Sequence, residues 1–339
     1  MSLPIIAKIN LNLLKENAIL VKNKIQKAKL CAVVKADAYG HGLVEVASSL
    51  YGIVDYYAVA LTSECFTLRI SGIDKPILLL TPCYSDIEKL IEYDITLSVS
   101  SLEEIKSIYS SAKSINKIAK IQFKINSGMN RLGFDSVTQI ILGLEFVKKH
   151  SKHLKITGAF SHLCKPENKE LSNKQLYTFL YLSKPIKEYD NNILLHISSS
   201  GGIFNGNEYL LDMVRVGLLL YGYIPCDDYK LPVSPIMKVY AKVICKRKGI
   251  KDCNLLYGDA FSTKNTAYIL RVGYADGFSR IGIDNSITNL CMDLCATDKV
   301  TGSDYTLIMS NAKLLAKKYN TITYEVLVNI SKRAIREYE

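Results

Sequence analysis

Between Ala32 and about Gly222 the sequence alternates between two textures, and this alternation limits the possible folds more than any other feature. Short apolar runs of strand composition fall at 32–35, 56–61, 76–80, 96–100, 119–126, 156–162, 194–198 and 213–217. Most are separated by stretches of helical periodicity, clearest at 43–50, 87–93, 102–115 and 137–150. Ser101, three residues ahead of Glu104, reads as a capping box that opens one of these helices. Strands alternating with helices predict a parallel sheet with right-handed crossovers. Eight such units close a (β/α)8 barrel, whereas an open doubly wound sheet usually uses fewer.

After Tyr223 the texture changes. Pro225, Pro232 and Pro235, with Asp227 and Asp228, look like a linker. Runs at 237–245, 267–272 and 305–309 carry strand composition, and two helical stretches follow at 312–318 and 324–333. The expected division is a barrel over 1–230 and a mainly β domain over 231–339. A chain of 339 residues, 48% hydrophobic and 22% charged, is long enough to bury a sizeable core without staples. There is no run of 18 apolar residues and no basic start followed by an apolar stretch, so neither a membrane span nor a secretory leader is expected. The nine cysteines include no Cys-x-x-Cys pair, so no zinc or other metal site is expected, and reduced thiols in the cytoplasm are the default.

The net charge of +11 raises the question of a polyanionic partner. Only 8 of the 43 basic residues are arginine, the residue best suited to bidentate phosphate and base contacts. Lys148, Lys149, Lys152, Lys317 and Lys318 sit in helix-like stretches, where a solvated face explains them. Trp is absent and the 22 tyrosines form no stacking array, so no nucleic-acid partner is expected.

In a barrel of this kind, working residues lie at the C-terminal ends of the strands and in the loops that follow. That rule selects Lys35, Asp37, Tyr39, Gly40 and His41 after the first strand, and Lys124, Asn126, Gly128 and Arg131 after the fifth. It selects His162 after the sixth, Ser198 to Gly202 after the seventh, and Arg215 and Gly217 at the eighth. Lys35 ends an apolar strand, and desolvation there would lower its pKa and make the amine a usable nucleophile. A strand-end lysine that snorkels to solvent explains the position equally well. The Ser-Ser-Ser-Gly-Gly run at 198–202 and Gly217 fall where barrels commonly bind phosphate, with small residues admitting an anion to backbone N–H groups. Outside the barrel context the same run would be an ordinary polar loop. A phosphate anchored there and a lysine on the first strand together suggest pyridoxal phosphate.

The segment Ala32 to Gly42 reads AVVKADAYGHG and resembles the pyridoxal-phosphate lysine signature of the alanine racemases. Further segments resemble that family in the same order along nearly the whole chain. They are NSGMNRLGF from Asn126, VRVGL from Val214 with Tyr221 and Gly222, Tyr257-Gly258, GYADG from Gly273 with Arg280, and Cys291-Met-Asp293. The resemblance implies a (β/α)8 barrel followed by a β domain, and a head-to-tail homodimer in which each second domain completes the partner's site.

It also implies a role for each matching residue. Lys35 would bind the cofactor as an imine, be displaced by the substrate amine, and then act as base on one face of the substrate. Tyr257 of the other subunit would serve the opposite face, since racemisation needs a proton removed on one side and returned on the other. A phenol ordinarily titrates near pH ~10, so cationic neighbours would have to help it ionise. Arg215 would face the pyridine nitrogen and leave it unprotonated, giving a weaker electron sink than an acid there. His162 would orient Arg215, although on its own it reads as a satisfied core histidine. Arg131 would contact the cofactor phenolic oxygen and the substrate carboxylate, braced by Lys124, which matches a position often carbamylated in the family. Tyr39, Ser200, Gly217 and Leu218 would hold the phosphate. Met292 and Tyr274 would close a small pocket from the partner, selecting alanine by excluding longer side chains. Met292 alone reads as a gap-filling core residue. The implied activity is interconversion of L- and D-alanine, which supplies D-alanine for peptidoglycan.

Several positions depart from the family pattern. Asn126 replaces an aspartate, Ser199 an asparagine, and Asn289 an arginine two residues before the cysteine. Lys332 falls near a phosphate-binding tyrosine of some members, the segment between Arg280 and Cys291 is short, and the tail stops early. Competing readings are a racemase for serine, lysine or another amino acid, a fold-related decarboxylase, and a non-catalytic pyridoxal-phosphate carrier. Arg215 argues against the decarboxylase, and Tyr257 with the 291–293 motif argues against the carrier.

Overall fold

The computed structural model describes residues 5–248, 254–260, 266–284, 286–288, 290–330 and 332–339. After a first strand, β1 (Ile5–Ile9), come eight strands: β2 (Lys29–Val33), β3 (Tyr56–Val59), β4 (Ile77–Leu79), β5 (Ile95–Val99), β6 (Ala119–Lys124), β7 (Leu154–Phe160), β8 (Leu194–His196) and β9 (Met213–Val216). They pair in parallel, each with its neighbour in sequence, and β9 returns to β2 with Lys29 against Met213 through Ala32 against Val216. Between β8 and β9 two backbone hydrogen bonds complete the ring, Asp212 N–H to the Leu195 carbonyl (3.1 Å) and Arg215 N–H to the Ser198 carbonyl (3.0 Å). All eight runs expected from the sequence are barrel strands. Most read as largely apolar segments because helices cover a parallel sheet outside while side chains fill the ring inside, although β6 carries Lys120, Gln122 and Lys124. Every residue of β4, β5 and β9 is buried.

The helices Leu43–Leu50, Ile87–Glu92, Leu102–Ser114 and Val137–Lys149 lie where helical periodicity places them. Ser101 caps the third of these, its hydroxyl accepting Glu104 N–H at 3.2 Å. The return bond differs by one residue from a standard capping box: the Glu104 carboxylate accepts the N–H of Ser100 at 2.6 Å. The 21-residue helix Lys169–Tyr189 carries Pro185 and no clean apolar stripe in the sequence, and periodicity does not single it out.

The second sheet is built from β10 (Met237–Lys248), β13 (Thr266–Arg271), β14 (Ile287–Thr288), β15 (Cys295–Thr297), β16 (Tyr305–Met309) and β17 (Ile335–Tyr338), together with β1. A small hairpin, β11 (Asn254–Leu255) with β12 (Gly258–Ala260), projects from it in sequence between β10 and β13. Residues 5–9, at the start of the segment assigned to the barrel, therefore lie in the second sheet. There β1 runs antiparallel to β10 and parallel to β17. The short segment before Cys291 still makes a strand pair, Ile287 against Thr297 and Thr288 against Ala296. Asn289 lies outside the described residues. Helices Ala312–Tyr319 and Thr323–Ile330 follow β16. The proline-rich linker is pinned by Asn17, a buried residue of the helix Leu11–Lys24. Its amide donates to the Leu220 (3.1 Å) and Ser234 (2.9 Å) carbonyls and accepts Ser234 N–H at 2.9 Å.

Candidate active site

Lys35 stands just beyond the end of β2, and the chain there turns left-handed. Ala36, Asp37, Ala38 and Tyr39 all have positive φ, between 52° and 55°. Such a run costs non-glycine residues roughly 1–2 kcal/mol each, so its surroundings must hold it. Glu64, buried at the start of the helix Thr62–Ile70, accepts Asp37 N–H at 3.3 Å and the N–H groups of Ala60 and Leu61 at 3.0 Å each. The Asp37 carboxylate accepts Leu43 N–H at 2.8 Å, opening the next helix. The Tyr39 ring packs 4.8 Å from that of Tyr221, whose hydroxyl donates to the Val33 carbonyl at 3.0 Å.

The turn opens onto a cavity of about 570 Å³ at the C-terminal mouth of the barrel. Lys35, Lys124, Arg131, His162, Arg215, Tyr39, Ser199, Ser200, Gly217 and Leu218 all line it, so the structure brings together ten residues that the sequence reading singled out. Four are cationic, and no carboxylate stands among the described residues of the lining. Burial, with Arg131 adding to it, lowers the pKa of Lys35. Lys124 is brought down to about 8, by burial first and then by Arg131, Arg215 and Lys35. The same causes, burial foremost, take His162 down to about 3, so its ring is neutral.

Arg215, on β9, is fully enclosed. Its guanidinium donates to the carbonyls of Ser161 (2.5 Å) and His196 (3.2 Å), and meets Nδ1 of His196 at 2.5 Å and Nδ1 of His162 at 3.4 Å. His196, at the end of β8, is thus a closer ring partner than His162. Its other nitrogen reaches the buried Gln122 amide oxygen at 3.0 Å, and Phe160 stacks on its ring at 5.2 Å. Burial, with Arg215 adding to it, holds His196 well below the usual imidazole range. Burial foremost, and Arg131, bring Arg215 down to about 10, so with carbonyl acceptors around it the guanidinium still keeps its charge near neutral pH.

Opposite, the Ser200 hydroxyl accepts Gly217 N–H at 3.2 Å and Leu219 N–H at 3.4 Å. A Cβ on Gly217 would lie 2.5 Å from the Tyr39 hydroxyl and 2.9 Å from its ring, so only glycine leaves that ring its place. Arg131 is carried by a loop organised around Asn126. The Asn126 side-chain oxygen accepts N–H from Gly128 (3.2 Å) and Asn130 (2.9 Å), and its amide donates to Asp135 at 2.8 Å. Asparagine at 126 therefore acts as a loop organiser, and it does not line the cavity.

The second-domain residues stand apart from this cavity within one chain. Tyr257 is 84% exposed, in the turn between β11 and β12, and Met292 and Tyr274 are also exposed. Met292 and Tyr274 are tied to each other's loops: Ala275 N–H donates to the Met292 carbonyl and Tyr274 N–H to the Cys291 carbonyl, each at 3.0 Å. Lys332 lies beside Tyr274 in a separate surface cavity and donates to Asn329 at 3.0 Å. The tyrosine that reaches the barrel cavity from this end of the chain is Tyr324, with Ile322 beside it and its ring 5.5 Å from Tyr39. The residues that sequence reasoning missed are thus His196, Gln122, Tyr324 and Ile322. A histidine closing an apolar strand was a usable signal for the first, while nothing local marks Tyr324.

Comparison with known proteins bears on this arrangement. The family model described as alanine racemase, N-terminal domain, matches residues 9–225, and that described as alanine racemase, C-terminal domain, matches residues 236–338. The chain belongs to the alanine racemase family. An alanine racemase from Clostridium novyi is 34% identical over 370 aligned positions, covering 99% of this chain and 95% of that one. The structure of an alanine racemase from Clostridium difficile is 35% identical with a TM-score of 0.91, covering 100% of this chain and 96% of that one. A crystal structure of alanine racemase from Bartonella henselae with covalently bound pyridoxal phosphate is 25% identical with a TM-score of 0.87, covering all of both chains. Alanine racemases depend on pyridoxal phosphate. The residues here fit that cofactor: a cavity with four cations and no carboxylate among the described lining residues calls for a polyanionic ligand, and the Tyr39 and Ser200 hydroxyls line it beside Gly217 as donors for a phosphate.

Proposed function

We propose that this chain interconverts L- and D-alanine with pyridoxal phosphate, as a cytoplasmic homodimer that supplies D-alanine for peptidoglycan. The observation that carries the reading is the placement of Lys35, with a lowered pKa, among Lys124, Arg131 and Arg215 in one barrel-mouth cavity. The cofactor supplies an electron sink for the bond to the substrate's α-hydrogen. The chain's own groups do the rest. Lys35 binds the cofactor and, with its ammonium form disfavoured by burial, takes and returns a proton on one face. Tyr39, Ser200, Gly217 and Leu218 hold the phosphate, and Tyr324 covers Tyr39 from the second domain. Arg215 presents a fixed cation to the pyridine side, kept in place by Ser161, His162 and His196. Arg131 binds the substrate carboxylate. Lys124, with a substantial neutral fraction at pH 8, is suited to carbamylation, which would give Arg131 an anionic brace.

The exposed Tyr257, Met292 and Tyr274 support the dimer reading, because three polarisable side chains left in solvent are explained if they enter the partner's cavity. There Tyr257 serves the second face, and Met292 and Tyr274 limit the pocket to a methyl group. No helix among the described residues is long and apolar enough to cross a membrane.

Circular dichroism of L- and D-alanine solutions with the cofactor-loaded enzyme tests this. Both enantiomers should racemise, with serine and lysine at least tenfold slower. Lys35→Ala and Tyr257→Phe chains, each inactive alone, should regain up to about a quarter of wild-type activity on mixing, since one in four reconstituted sites receives both intact residues. A mixture that stays inactive while forming mixed dimers contradicts the shared site, and failure to racemise any amino acid contradicts the function.

A further inference from the structure

The left-handed turn after Lys35 is held from two sides. On the barrel side Glu64 accepts the Asp37 N–H. The other side belongs to the last strand of the chain. β17 lies beside β1, and its Arg336 reaches across to the turn. The Arg336 Nε–H donates to the Gly40 carbonyl at 3.0 Å, and its Nη2 pairs with the Asp37 carboxylate. Two residues on, Tyr338 closes over Gly42, where a Cβ would lie 2.0 Å from the tyrosine hydroxyl. The turn's own amides look inward: Ala38 N–H bonds the Val34 carbonyl (2.8 Å), Gly40 N–H that of Ala36 (3.0 Å) and Gly42 N–H that of Asp37 (3.0 Å). The Gly40 carbonyl and the Asp37 carboxylate meet Arg336 instead.

We propose that Arg336 is a positioning residue for Lys35: from the second domain of the same chain it clamps both ends of the strained turn and so fixes where the lysine stands. This rests on the reading of Lys35 as the cofactor lysine. A guanidinium suits the task because its planar fork bridges a carboxylate and a carbonyl together, which a lysine ammonium does poorly. The second domain then has two tasks, one toward the partner's site through Tyr257 and one toward its own.

The test uses the full-length chain as wild type, Arg336→Met, Arg336→Lys, Asp37→Asn and the Asp37→Asn/Arg336→Met double variant. Amide hydrogen exchange over residues 36–42 is read with and without cofactor, and β10 and β13 serve as internal controls. In Arg336→Met the turn should exchange at least tenfold faster while the controls keep their rates. In the loaded enzyme kcat should fall about tenfold with the KM for alanine within twofold. Arg336→Lys should recover part of the loss, and the double variant should be no worse than either single change. If Arg336→Met does not fold, Asp37→Asn reads the same contact from the barrel side. Unchanged exchange at 36–42, or additive losses in the double variant, overturns the proposal whatever the activity. Faster exchange in Arg336→Met, when the wild-type enzyme itself racemises nothing, would instead overturn the functional reading and leave the clamp supported.

Discussion

A methyl group in place of the Gly217 hydrogen would press on the Tyr39 hydroxyl, and that ring has nowhere to retreat, because Tyr221 and Tyr324 pack against it. Overpacking of this kind costs about 1–3 kcal/mol. Gly217→Ala should therefore weaken pyridoxal phosphate binding roughly 5- to 100-fold, with kcat at saturating cofactor falling much less. Equilibrium dialysis followed by cofactor absorbance measures it, and an unchanged affinity would remove Tyr39 and Gly217 from the phosphate site. Residues of this kind were legible where their type conflicts with their place. A lysine closing an apolar strand and glycine where the barrel binds phosphate are such conflicts. His196, which closes the apolar strand β8, conflicts in the same way. Tyr324 was not legible, since it lies 285 positions after Tyr39 and only the docking of a second-domain helix brings the two together.

The turn from Ala36 to Tyr39 inverts the usual ranking of alanine and glycine. Replacing alanine by glycine inside a right-handed helix costs about 1 kcal/mol. At Ala36, exposed and at φ 52°, the change instead relieves roughly 1–2 kcal/mol of left-handed strain, against which the freer unfolded chain takes back about 0.4–1. Ala36→Gly should leave stability unchanged or raise it by up to about 1.6 kcal/mol in urea unfolding, and a loss of about 1 kcal/mol would show that the turn is not strained. No sequence signal announces this turn, because KADAY reads as an ordinary helical pentad; the contacts to Glu64 and Arg336 come from distant parts of the chain. The eight barrel strands, by contrast, were legible one by one, since burial on both faces makes most of them largely apolar runs. β1 is equally apolar, with three of its residues isoleucine, yet its destination was hidden because a strand's partners are not written in its own composition.

Across the whole molecule, His41, His162 and His196 are all held neutral, His41 at a pKa of about 4 and His162 at about 3, each chiefly by burial. Their folded pKa values lie below the unfolded value, so their contribution is intact above pH ~6.5 and is lost as pH falls toward 4, where the unfolded chain takes up protons that the folded one refuses. At pH 5 this amounts to about 2 kcal/mol each for His41 and His162, and His196 acts in the same direction. The cofactor-free protein should then lose at least about 4 kcal/mol between pH 7.5 and pH 5, with at least about two protons taken up on unfolding at pH 5. Urea titrations across that range read both, and a flat profile would mean that these rings gain charge while folded. The charge of +11, which first invited a polyanion, resolves at this scale into a cavity needing an anionic ligand and a lysine-rich surface.

The place of β1 has a consequence for how the polypeptide can be cut. It lies between β10 and β17, so one side of the second sheet is joined through a strand that precedes the whole barrel in sequence. A fragment beginning at 231 would carry β10 and β17 with bare hydrogen-bonding edges facing each other across a missing strand, the kind of edge that recruits other chains. Excised in that way the second domain should aggregate, while the same fragment supplied with a peptide spanning residues 1–10 has what it needs to close. The second sheet closes only when a strand from before the barrel pairs with two strands from after it.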